Sequence, residues 1–174
     1  MERGKRKVKG APLMTIGFIL NGEDVTADTD AASRLVDILR NTFNLSGTKM
    51  SCCCGNCGAC SVIFNGYVAK ACLIPAFKIR EREVITIEGF SQTDEYQDII
   101  RAFTEAEVES CGFCTTGKIL TTEVLLNRNL RPSREEILAG FDGIRCRCTD
   151  PEGLVHMVMA AIEHRRKRIY GRSS

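Results

Sequence analysis

Tryptophan is missing from this chain, aromatic residues make up only 6% of its 174 positions, and it has 4 prolines. So thin a supply of rings excludes a large aromatic core in either half, and small domains built this way commonly lean on metal or disulfide staples. No stretch approaches the roughly 18 consecutive apolar residues of a membrane span. Ala11 to Leu20 makes a poor secretion signal, because it contains Pro12 and Thr15 and runs into Asn21-Gly22 without a small-residue cleavage site. The expectation is a soluble cytoplasmic chain. An excess of charge is lacking too: 24 basic residues against 22 acidic ones leave a net charge of +2, which argues against nucleic acid as a partner.

The basic residues do gather at the ends. Arg3, Lys5, Arg6, Lys7 and Lys9 read as part of a disordered arm over residues 1–11, and Arg165, Arg166, Lys167 and Arg168 as a solvated helix end. Docking to an acidic partner surface or an anionic lipid is the other reading of both runs.

Cysteine is what the chain has in abundance, with 10 in all. Eight of the 10 form two spaced quartets. Cys52, Cys57, Cys60 and Cys72 are written C-x4-C-x2-C with a later fourth member, the spacing of plant-type [2Fe–2S] ferredoxins. Cys111, Cys114, Cys146 and Cys148 pair a C-x2-C with a C-x-C. A cluster needs four thiolates converging on a small volume, so a tight loop closed by one distant residue suits it. Gly55 and Gly58 allow strained backbone and close approach in the first loop. Arg145 and Arg147 interleave the last pair and add positive charge.

Other chemistries stay open on spacing alone. C-x2-C is common in structural zinc sites, whereas C-x4-C-x2-C and C-x-C are less typical of them. A disulfide framework fits poorly with a reducing compartment. A thioredoxin-like C-x-x-C is out of place in a helical setting. Cys53 and Cys54 are surplus, either bystanders or substitutes for Cys52 as ligand. His156 and His164 lie on one predicted helix, away from the cysteines, so no Rieske arrangement can be drawn.

The intervening pattern predicts an α+β protein. Met14, Ile16, Phe18 and Leu20 alternate into Asn21-Gly22, a hairpin turn leading to Glu23–Ala27. A helix is expected from about Ala32 to Thr42, with Leu35, Ile38 and Leu39 on one face. Ser61–Phe64 and Tyr67–Ala69 flank Asn65-Gly66 as a second hairpin, and Glu83–Ile87 closes the sheet. That order is a β-grasp, ferredoxin-like domain over residues 12–90. Residues 91–170 read as four helices: one around Tyr96–Phe103, one from about Thr116 to Asn127, one opened by a Ser133/Glu136 capping box, and one capped by Thr149 or Asp150 with Pro151 at its first position.

Thr48-Lys49, Cys52, Gly55, Cys57-Gly58-Ala59-Cys60, Cys72, Cys111-Gly112-Phe113-Cys114-Thr115 and Cys146-Arg147-Cys148-Thr149 together resemble the iron–sulfur subunit of molybdenum hydroxylases, the xanthine dehydrogenase and aldehyde oxidase family. The likeness covers about residues 13–165. It implies one [2Fe–2S] cluster in a ferredoxin-like domain and one in a four-helix domain, each held by the quartet named above. Two partners are implied as well, a large molybdopterin-binding subunit and with it a medium FAD-binding one. Electrons would pass from molybdenum through the helical-domain cluster and the ferredoxin-like cluster to FAD or another acceptor. No catalytic residue is expected on this chain itself. A free-standing two-cluster ferredoxin and a zinc-stabilised interaction module are the rival readings. Departures from the family pattern are Ser51 for Gly, Cys54 for Glu, Ser110 for a pterin-contacting Gln, Thr116 for Pro, Ile144 for Asn and Asp150 for Gly.

Overall fold

A computed structural model of the chain describes residues 13–106 and 110–171. The basic arm at the N-terminus lies outside the described residues. Strands β1 (Leu13–Leu20) and β2 (Glu23–Asp30) form the first hairpin, paired from Leu20↔Glu23 to Leu13↔Asp30. Its turn residues Asn21 and Gly22 both sit at positive φ (54° and 87°), as a tight hairpin of matching twist requires. Strands β3 (Ser61–Phe64) and β4 (Tyr67–Lys70) repeat the device with Asn65 and Gly66 at 48° and 80°.

β5 (Glu83–Ile85) lies between the hairpins, parallel to β1 and antiparallel to β3, giving the order β2-β1-β5-β3-β4. This is the expected β-grasp. Glu83–Ile87 is shorter as a strand than the sequence suggests. Asn21 accepts the Thr86 backbone N–H at 2.8 Å, and the chain then turns into the single-turn helix α2 (Ile87–Phe90).

Helix α1 (Leu35–Asn41) also starts later than Ala32. Residues 31–35 are engaged elsewhere: Leu35 N–H donates to Ile74 C=O, and Ala76 and Phe77 N–H donate to Ser33 and Ala31. Those carbonyls and amides are therefore unavailable to a helix. Ile16, Phe18 and Leu20 point at Leu35, Val36, Ile38 and Leu39, and this first core also contains Cys60 and Cys72.

The opposite face of the sheet carries the helices. Adjacent residues Val62 and Ile63 point to opposite sides, Val62 into the first core and Ile63 into the second. The second core is built by α3 (Asp94–Glu105), α4 (Thr115–Arg128), α5 (Arg134–Phe141) and α6 (Pro151–Tyr170). α5 opens with the complete Ser133/Glu136 capping box. Asp150 rather than Thr149 caps α6, accepting the Gly153 N–H at 2.7 Å with Pro151 in the first turn. α4 is the central element, buried without interruption from Thr116 to Val124. No helix among the described residues is long and apolar enough to cross a membrane.

The basic run near the C-terminus is not the solvated helix end that its charge suggests. Arg165 is buried, bonding Asp98 at 3.2 Å and Glu123 at 2.7 Å. Arg168 reaches Asp98 at 2.8 Å and Glu95 at 2.6 Å. Paired carboxylates on α3 and α4 offset the desolvation of these guanidinium groups, which a charge count along the chain cannot reveal. His164 bonds Glu105 at 2.7 Å, and His156 is exposed, so both lie apart from the cysteines.

Candidate metal centres

The first quartet sits on the loop between α1 and β3, closed by a 3-10 turn after β4. Cys52 Sγ accepts the backbone N–H groups of Asn56 and Cys57, both at 3.3 Å. These bonds, with one from the Cys54 N–H as the strongest, lower the Cys52 thiol to about 6. Cys60 and Cys72 are buried and hydrogen-bonded to each other, and burial pushes Cys60 up to about 12. Cys57 touches Cys52 and acts electrostatically on Cys60, so the four thiols form a connected set.

Ala71 N–H donates to Cys60 C=O at 3.0 Å, which places Cys72 beside the start of β3. Gly55 (φ 77°) is pressed against Leu73, where an added Cβ would meet the Leu73 side chain at 2.4 Å. The surplus thiols differ from one another. Cys53 turns toward Arg34. Cys54 bonds Cys52, and that bond holds the Cys54 thiol above its ordinary value.

The second quartet is gathered by helix starts. Cys114 is the residue before α4, and Cys146 and Cys148 lie just before α6. Cys146 and Cys148 sulfurs stand 3.5 Å apart. Burial pushes Cys114 up to about 11, helped by its bond with Cys146 and opposed by the nearby charge of Lys118. Burial also opposes ionisation of Cys146. The Cys148 N–H, the Cys148 and Thr149 side chains and Cys114 outweigh it, bringing Cys146 down to about 6. Cys111 is exposed beside Gly112 (φ 78°), and no hydrogen bond joins it to the other three among the described residues. Ser110 is hydrogen-bonded to Thr115 through their hydroxyls.

Among the described residues no three Cys, His, Asp or Glu side chains close around one point as an ion's ligands would. The donor chemistry nevertheless fits an iron–sulfur cluster. Each quartet offers only thiols, two glycines at positive φ (Gly55 and Gly58) leave room in the first loop, and backbone N–H groups already donate to sulfur.

The two loops meet. Arg145 N–H donates to Cys57 C=O at 3.1 Å, and its guanidinium reaches Asn56 Oδ1 at 2.9 Å. Gly58 (φ 74°) is packed between the start of α4 and Gly143–Ile144; an added Cβ would meet Gly143 C=O at 2.5 Å. A Cβ on Gly117 would meet Gly58 C=O at 2.7 Å. Lys70 Nζ bonds Gly55 C=O from the β4 side.

Comparison with known proteins resolves the metal chemistry. Residues 18–83 match the 2Fe-2S iron-sulfur cluster binding domain and residues 86–159 the [2Fe-2S] binding domain. The nicotinate dehydrogenase small FeS subunit of Eubacterium barkeri is 41% identical over 136 residues, covering 78% of this chain and 87% of that protein. The chain belongs to the iron–sulfur small-subunit family of molybdenum hydroxylases.

A nicotinate dehydrogenase subunit of Pseudomonas putida is a second relative, 35% identical over 153 residues, with 88% of this chain and 98% of that one covered. Among solved structures, quinoline 2-oxidoreductase from Pseudomonas putida 86 matches with a TM-score of 0.80 at 32% identity, over 90% of this chain and 98% of that chain. The aldehyde oxidoreductase of Desulfovibrio desulfuricans matches with a TM-score of 0.77 at 33% identity, over 92% of this chain but 18% of that longer one. The small subunits of this family are oxidoreductase components that work with larger partners, and this chain has their two-domain [2Fe–2S] organisation.

Sequence reasoning missed two participants near the second quartet. Lys118 is fully buried and donates to Thr149 Oγ1 at 2.7 Å. Its place four residues after Cys114 was the available signal. Arg145 shows in the sequence only as a source of charge, and its bond to Asn56 depends on a contact across 89 positions that no local pattern encodes.

Proposed function

We propose that this chain is the electron-transfer subunit of a heteromeric molybdenum hydroxylase, carrying single electrons from a molybdopterin centre on a large subunit to FAD on a medium subunit or to another acceptor. The observation that carries this reading is two thiol sets, on two different domains, whose supporting loops touch through Gly58, Gly117 and Arg145. Bound there, each [2Fe–2S] cluster would accept and release one electron at a time.

Cys52, Cys57, Cys60 and Cys72 would hold the first cluster, on the ferredoxin-like domain over residues 12–90. Cys111, Cys114, Cys146 and Cys148 would hold the second, on the helical domain over residues 91–170, with Cys111 swinging in from the exposed Gly112 turn. The N–H groups of Asn56 and Cys57 stabilise negative charge on Cys52, and the Cys148 N–H does so for Cys146. The burial of Cys60, Cys72 and Cys114 excludes water from those sulfurs.

Substrate chemistry would belong to the large subunit, with no catalytic residue on this chain. Relatives named for nicotinate and isoquinoline enzymes match at similar identity, 35% and 37%. On this reading the choice of substrate would sit in the partner's pocket. A reducing cytoplasm suits ten unpaired thiols.

Iron and acid-labile sulfide analysis of anaerobically purified protein tests the reading directly. About four irons per chain are expected for two such clusters; zinc, or about two irons, would overturn it. Affinity purification from the native host tests the partnership. A molybdopterin-containing companion should co-purify, whereas a stable lone monomer would favour a free-standing ferredoxin.

A further inference from the structure

Lys118 is a buried cation that the electron-transfer reading does not use and, unlike Arg165, it lies beside a cysteine quartet. It lies on the first turn of α4, four positions after Cys114, with no exposed surface. Burying an ammonium is costly unless it is compensated, and lysine is rarely fully buried without a partner. Among the described residues no carboxylate pairs with it; its side chain donates to the Thr149 hydroxyl at 2.7 Å.

Thr149 is itself buried, and its hydroxyl in turn bonds the Cys146 sulfur. The ammonium charge also acts on Cys114, which is hydrogen-bonded to Cys146. One cation is thus directed at two of the sulfurs through a short, buried path. Negative charge gathered at these sulfurs, as a thiolate-held cluster would supply, compensates for its burial.

We infer that Lys118, acting through Thr149, is a positioning residue that sets the reduction potential of the second [2Fe–2S] centre. A cluster held by four thiolates is anionic, and it gains one further negative charge on reduction. A buried cation nearby stabilises the reduced form more than the oxidised one, so it raises the potential. The electron comes from the molybdopterin centre proposed above for the large subunit; no bond is made or broken at Lys118 or Thr149. Among the described residues the cations at the first quartet's loop are held otherwise: Lys70 donates to the Gly55 carbonyl and the exposed Arg145 guanidinium to Asn56 Oδ1, neither of them to a hydroxyl that bonds a sulfur. Lys118 would therefore act on one centre and not the other.

The inference rests on the second quartet holding a [2Fe–2S] cluster, and the test keeps the two apart. Potentiometric titration of the purified complex, followed by the paramagnetic signals of the reduced centres, gives one midpoint for each. In K118M, the ratio of reduced to oxidised second centre at fixed potential should fall by about tenfold, a midpoint lower by about 59 mV for a one-electron couple. The first centre should not move. T149V, which leaves the lysine in place and removes its link to sulfur, should shift the second midpoint in the same direction by a smaller factor.

An unchanged second midpoint in K118M, or equal shifts in both centres, would overturn the inference. Should K118M fail to load its second centre, T149V decides: an unmoved midpoint there overturns the inference equally. Failure of the underlying cluster assignment looks different, because the second signal would then be missing from the unmodified protein.

Discussion

The guanidinium of Arg145 donates to Asn56 Oδ1 at 2.9 Å, tying the segment that carries Cys146 and Cys148 to the loop that carries Cys52, Cys57 and Cys60. Its own backbone N–H donates to Cys57 C=O, so the clasp is double. Between these two bonds the chain comes close enough that Gly58 has room for no side chain. The two thiol sets are held by direct contact between their loops and not only through the sheet and helices behind them.

Gly58→Ala should break this contact. The position is at φ 74°, and the new Cβ would strike Gly143 C=O at 2.5 Å, a backbone atom with little freedom to give way. A loss of about 1–3 kcal/mol is expected from overpacking with backbone strain. Urea unfolding of the two proteins measures it; equal stability would mean the loops separate easily.

Arg165→Met should cost more, on the order of 3–5 kcal/mol, because it strands buried Asp98 and Glu123 without their cation. Adding Glu123→Gln should recover part of that loss. If the single variant were as stable as the parent, the network would be dispensable packing.

The Glu95–Arg168 pair gives stability a pH dependence. Burial pushes the Glu95 carboxyl up, but the helix-start N–H and Arg168 outweigh it, leaving the group below its ordinary 4.5. A lowered carboxyl contributes stability that is complete above the unfolded value and lost as pH falls through the folded one. The stability difference between parent and E95Q should therefore be present at neutral pH and shrink to nothing in acid. Chemical denaturation across that range checks it, and a difference that persists at the acid end would reverse the assignment.

Thiol reactivity offers a test on reduced, cluster-free protein. With Cys52 and Cys146 brought down to about 6, both are thiolates at neutral pH. With Cys60 pushed up to about 12 and Cys114 to about 11, these two stay protonated. Brief alkylation followed by peptide mass spectrometry should label Cys52 and Cys146 first and Cys60 and Cys114 last. Uniform labelling would show that the N–H donors do not act on these sulfurs.

Cys53→Ser should leave both paramagnetic signals intact, since the Cys53 side chain turns toward Arg34. Loss of the first-quartet signal on spectroscopy would move the ligand register by one residue.

Features encoded locally were legible in the sequence. Asn21-Gly22 and Asn65-Gly66 specify hairpins because few other residues adopt two successive positive φ values, and Ser133 with Glu136 specifies a helix start on its own. The cysteine spacings were equally plain. What escaped depends on partners far along the chain. Nothing beside Arg165 announces Asp98 and Glu123, and nothing beside Ala32 announces that residues 74–77 occupy the backbone of that stretch. Lys118 was visible as a residue but not as a buried one, because α4 is enclosed on all sides by elements distant in sequence.

Cys60 and Cys72 belong at once to the proposed first centre and to the core beneath the sheet, packed among Ile16, Phe18 and Leu39. On that assignment a chain without iron also has a poorly finished interior, since metal affinity and folding energy are then one quantity. Unloaded copies would breathe open where loaded ones do not, and proteases would meet them first. The fold would act as its own inspector, withholding from the larger complex any copy that has nothing to conduct with.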